Sequence, residues 1–84
     1  MLTREDILHA LASKKPAFER DFQVTKLGLF GSFAKNENTG NSDIDVIIEF
    51  EPTTKNLFEK KSKIREILSN HFNRKVDLCR EKFI

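Results

Sequence analysis

In the segment SDIDVIIEF, from Ser42 to Phe50, apolar residues recur at every second position from Ile44 to Phe50, as in a half-buried strand. Ile44, Val46, Ile48 and Phe50 fall on one face. Asp45, Ile47 and Glu49 fall on the other, with Asp43 just ahead on that side. Such a strand needs neighbours to pair with and a layer to cover its apolar face. A second strand is read from Val24 to Phe30, stopping at Gly31, and a third from Lys75 to Arg80, "KVDLCR".

Helical patterns supply the covering layer. Thr3 can cap a first helix, with Glu5 and Asp6 in its first turn and Ile7, Leu8 and Leu11 as its apolar stripe. Lys14-Lys15-Pro16 interrupts that stripe, and Pro16 suits the first turn of a second short helix carrying Phe18 and Phe22. A long helix is expected from Thr54 through Asn70, with Leu57, Phe58, Ile64, Ile67, Leu68 and Phe72 inward and a basic outer side. Ser32–Lys35 reads as one helical turn and Asn36–Asn41, "NENTGN", as a polar loop. The expected architecture is a small α/β (α+β) layer: a three-strand sheet with helices on at least one face, in one domain spanning residues 1–84.

Composition narrows the function. The 84 residues carry a net charge of only +2, too little for a surface dedicated to phosphate backbones, so nucleic acid is not an expected partner. All eight aromatic residues are Phe, which favours core filling over base stacking. The single Cys79 cannot form an internal disulfide, and a cytoplasmic setting is expected. Neither a signal peptide nor a membrane span is visible.

The polar face of the middle strand carries the chemistry. Residues two apart in a strand lie ~6.6 Å apart on one side, so Asp43 and Asp45 can converge on a cation. Asp77 can join them if the last strand lies beside Ile44–Phe50. Carboxylate oxygens suit Mg²⁺ or Mn²⁺, and Mg²⁺ keeps positions open for substrate phosphates. Alone, D-x-D is better explained by solvated or capping aspartates at a strand start. Gly31-Ser32 is the second element: a sharp strand-to-turn junction presents backbone N–H groups to an anion, Ser32 can donate to a phosphate oxygen, and Lys35 can reach the same group. Folding does not require the two elements together, whereas phosphoryl chemistry does. His9, His71 and Glu49 are read as outside the site, and Cys79 as a small core residue.

Gly31-Ser32, ten intervening residues, Asp43-Ile-Asp45 before "VIIEF", and Asp77 in "VDL" together resemble the nucleotidyltransferase superfamily that includes DNA polymerase β. Within it, the chain looks like the minimal nucleotidyltransferases paired with HEPN-domain proteins. The resemblance implies that Gly31 and Ser32 bind the triphosphate and that Asp43, Asp45 and Asp77 hold two Mg²⁺ ions. It further implies that Asp77 helps to deprotonate an acceptor hydroxyl. Many relatives read Gly-Ser-x-Ala-Arg-Gly; here Lys35 and Asn36 stand at the last two positions. Lys keeps the charge without the bidentate fork, and Asn tolerates a left-handed backbone.

The function expected from this resemblance is transfer of AMP from ATP to a hydroxyl of a HEPN-type RNase toxin, with the chain as antitoxin. The chain has little room for an acceptor-binding domain of its own, which also points to a partner. Two alternatives stay open: an inactive antitoxin that neutralises by contact, and a small-molecule nucleotidyltransferase of the aminoglycoside-modifying type. Self-association is also left open.

Overall fold

The structure is a computed structural model that describes residues 2–37 and 42–80. Its elements are α1 (Arg4–Phe22), β1 (Val24–Phe30), β2 (Ile44–Phe50), α2 (Leu57–Phe72) and β3 (Val76–Cys79). The sheet order is β1-β2-β3, with β1 antiparallel and β3 parallel to β2. Two helices and a three-strand mixed sheet make this an α+β fold of the expected class. The two outer strand readings held to within a residue at each end, and β2 occupies the expected span.

β2 is the central strand and its alternation is realised in burial: Ile44, Val46, Ile48 and Phe50 are buried, while Asp45, Ile47 and Glu49 are half-buried. The buried face joins one core cluster with Ile7, Leu11 and Phe18 of α1, Ile64 and Leu68 of α2, Val24, Val76 and Phe33. Both helices therefore cover one sheet face. The carboxylates of β2 lie on the other.

The N-terminal segment is one helix, not two. Pro16 sits inside α1 and is exposed. A proline in a helix interior costs ~3 kcal/mol, partly through a lost N–H bond. On the solvent side water can satisfy the freed carbonyl, and a continuous helix lets Phe18 bury on the same stripe as Ile7 and Leu11, worth ~1.5–3 kcal/mol per side chain. A capping box starts the helix as Thr3 promised: Thr3 Oγ1 accepts from the Asp6 N–H (3.1 Å) and Asp6 Oδ2 accepts from the Thr3 N–H (3.0 Å). Leu8, expected on the stripe, is exposed instead.

α2 starts at Leu57, three residues later than expected. Thr54 is not its cap, because the Thr54 N–H closes a turn onto the Glu51 carbonyl (3.0 Å) after Pro52. Phe58 is not on the inner side and is 81% exposed. At 3.6 residues per turn it points ~120° away from Ile64, whereas Leu57 and Leu68 stay within ~40° of it. Among the described residues no helix is long and apolar enough to cross a membrane.

Candidate functional site

The site is built where three chain segments meet at one end of the sheet. β1 pairs with β2 so that Phe30 lies opposite Asp45, which brings the following residue, Gly31, against the Asp45 side chain. Gly31 adopts φ +79°, and a Cβ there would collide with Asp45 Oδ2 and lie 3.2 Å from its Cγ. Glycine is thus required twice, for a left-handed backbone and for the space taken by a carboxylate. The sequence reading assigned that closeness to a phosphate; in the fold the first group to use it is Asp45.

After Gly31 the chain forms a compact turn. The Gly31 carbonyl accepts from the Lys35 N–H (3.1 Å) and the Ser32 carbonyl from the Glu37 N–H (2.8 Å). Among the described residues these bonds do not engage the N–H groups of Ser32, Phe33 and Ala34. The expected helical turn is therefore a run of hydrogen-bonded turns instead. Asn36 takes φ +61°, the left-handed conformation open to Asn. Phe33 anchors the turn by burying its ring in the core at 1% exposure. Ser32 is half-buried beside it, while Lys35 is exposed at the far side of the turn.

β3 completes the row. Its parallel register sets Asp77 beside Asp45, on the sheet face away from the helices. Asp45 is held above the ordinary carboxylate value of 3.8, first by desolvation, then by the charges of Asp77 and Asp43. Those two neighbours feel Asp45 electrostatically, so all three carboxylates belong to one charged patch. Among the described residues no group of three His, Cys, Asp or Glu side chains is arranged to hold a metal ion. The aspartates form an open row instead. Their carboxylate oxygens are nevertheless the donor type that a hard divalent cation takes.

Two residues that the sequence reading passed over also belong here. Lys75 Nζ lies 3.8 Å from Asp43 Oδ2. Its place was legible, since Lys75 is two residues before Asp77 and shares its face. Arg74 donates from Nη1 to the Ser42 carbonyl (2.9 Å) and rests 5.5 Å from the Phe33 ring centroid. Nothing local in the sequence signals that contact. Cys79 is exposed on the Asp77 side rather than in the core. Glu49 pairs with Arg80 at 3.6 Å, and both His9 and His71 are exposed.

Comparison with known proteins decides the family. Residues 11–84 match the nucleotidyltransferase domain model. The chain belongs to the nucleotidyltransferase domain family. Across its whole length it is 33% identical to a Methanocaldococcus jannaschii protein provisionally named a protein adenylyltransferase, of which it covers 84%. Over 93% of its length it is 33% identical to the protein adenylyltransferase MntA of Thermococcus cleftensis, of which it covers 77%. A second M. jannaschii protein with the same provisional name is 36% identical over 93% of this chain and is covered to 78%. No solved structure matches. The fold is a small nucleotidyltransferase core, as the motifs led one to expect, and nucleotidyl transfer is its chemistry.

Proposed function

We propose that this nucleotidyltransferase is a protein adenylyltransferase, moving AMP from ATP to a hydroxyl on a partner protein. The observation that carries the reading is the Gly31–Asp45 contact beside the Asp45–Asp77 register, which sets the Gly31-Ser32 turn against the carboxylates. The relatives' names support a protein as the acceptor.

Asp43, Asp45 and Asp77 would hold two Mg²⁺ ions, with Mn²⁺ as a substitute. When bound, the ions neutralise charge on the transferring and leaving phosphates. The Ser32–Ala34 amides and the Ser32 hydroxyl bind the triphosphate, and Lys35 offers a charge at its rim. Asp77 takes the proton of the acceptor hydroxyl. The acceptor oxygen forms a bond to the α-phosphorus as the α–β bridging P–O bond breaks, and pyrophosphate leaves. Lys75 screens Asp43 from its neighbours.

The partner in this proposal is a HEPN-type RNase toxin, silenced by the AMP it receives in the cytoplasm, and the chain is its antitoxin. The test is incubation with α-labelled ATP and Mg²⁺, with and without the product of the neighbouring gene. Label on the partner's hydroxyl side chains, lost in Asp45→Asn, is the expected outcome. Label on a small molecule and on no protein would overturn the reading.

A further inference from the structure

We infer that Arg74 is a positioning residue that holds the Gly31-Ser32 turn and the Asp43–Asp45 strand start at a fixed spacing, so that nucleotide and metal bind cooperatively. The inference rests on the nucleotidyl-transfer reading of the site.

The two halves of the site are separated in sequence by the polar stretch Asn36–Asn41. Arg74 links them. Its guanidinium edge donates to the carbonyl of Ser42, the residue before Asp43. Its central carbon lies over the ring of Phe33, the residue after Ser32, 5.5 Å from the centroid. A planar fork can stack by its face and donate by its edge together, which an ammonium cannot do in the same geometry.

Both contacts have rigid ends. Phe33 is locked in the core. The Arg74 backbone is tied to α2, because the Ser69 carbonyl accepts from the Arg74 N–H (3.2 Å) as the chain leaves the helix through Asn73 at φ +52°. The Ile44 N–H bonds to the Lys75 carbonyl (3.0 Å), so the β2 start cannot drift from the same junction. A shift of the turn relative to Asp43 therefore has to break the Arg74 bridge. In this proposal Arg74 acts through Phe33 and Ser42.

Such a residue should set the coupling between two ligands more than the affinity for either. The test is calorimetry with α,β-methylene ATP, in saturating Mg²⁺ and in EDTA, on wild type, Arg74→Met and Arg74→Lys. The solution equilibrium between Mg²⁺ and nucleotide is common to all three and cancels. For Arg74→Met the Mg²⁺ enhancement of affinity should fall by about tenfold, with the affinity in EDTA changed by less than about twofold. Arg74→Lys should restore part of it, leaving a loss of about threefold. A lower melting temperature with the enhancement intact would show a structural role only and overturn the inference. If Arg74→Met does not fold, Arg74→Lys decides, and full wild-type enhancement in it overturns the inference. A wild-type chain with no Mg²⁺ enhancement would overturn this inference and the nucleotidyl-transfer reading together.

Discussion

Replacing Gly31 by Ala probes the closest approach in the site. Two costs are expected. An alanine held at φ +79° is in the left-handed region, at ~1–2 kcal/mol. Its Cβ also collides with Asp45 Oδ2, so the carboxylate must turn off its rotamer or the two strands must part, at ~0.5–1.5 kcal/mol. The sum is about 1.5–3.5 kcal/mol, which for a domain of this size lowers the melting temperature by roughly 6–28 °C. Gly28 is the internal control: its φ is not left-handed, and an added Cβ would meet nothing within 4 Å. Gly28→Ala should be neutral or stabilising by ~0.4–1 kcal/mol. The chain has no Trp or Tyr, so urea unfolding is followed by circular dichroism at the helix band. A double-mutant cycle isolates the contact. With Asp45→Ala in the background the collision with the carboxylate is gone and only the backbone cost remains, giving a coupling of ~1 kcal/mol. Equal costs of Gly31→Ala with and without the Asp45 carboxylate would refute the contact. A Gly31→Ala protein within ~0.5 kcal/mol of wild type would refute the backbone argument as well.

Asp45→Asn should be at least as stable as wild type in EDTA at neutral pH, by a few tenths to ~1 kcal/mol after solvent screening, and should gain less from Mg²⁺ with nucleotide. Thermal melts in the two buffers check both signs; a clear loss in EDTA would mean that Asp45 supports the fold as a charge. The pH dependence follows from the same shift. The raised Asp45 pKa means that the folded state binds its proton more tightly than the unfolded state, so the penalty grows as pH rises above 3.8 and fades below it. Asp6 runs the other way, because the Thr3 backbone and hydroxyl bonds lower its pKa; its contribution is present above 3.8 and lost as pH falls. Melts of Asp45→Asn and Asp6→Asn across acid pH should therefore diverge from wild type in opposite directions. Phe33→Ala should cost ~3–5 kcal/mol and Phe58→Ala less than ~0.5 kcal/mol by urea unfolding, since one ring is in the core and the other in solvent. Pro16→Ala should stabilise α1 by up to ~3 kcal/mol, read as a higher urea midpoint; no gain would mean that the helix already bends there without cost.

What the sequence determined is what depends on near neighbours along the chain. The period-two pattern of Ile44–Phe50 set which side chains are buried, because a strand's two faces are decided residue by residue. It placed Asp43 and Asp45 on one side for the same reason, and Asn36 announced the left-handed backbone that it adopts. The tertiary structure decided everything that depends on distant partners. The interruption at Pro16 disappeared because Phe18 gains a core to bury in, a gain no local pattern contains. Phe58 is the converse case: its ~120° offset from Ile64 follows from spacing alone, so its exposure was legible in the helical period. The pairing of Asp77 with Asp45 depends on how the α2 crossover sets the parallel register, and the packing of Gly31 against Asp45 on the antiparallel one. Arg74 is the extreme case: its partners, Phe33 and Ser42, lie more than thirty residues away, and only the folded sheet brings them within reach of one guanidinium.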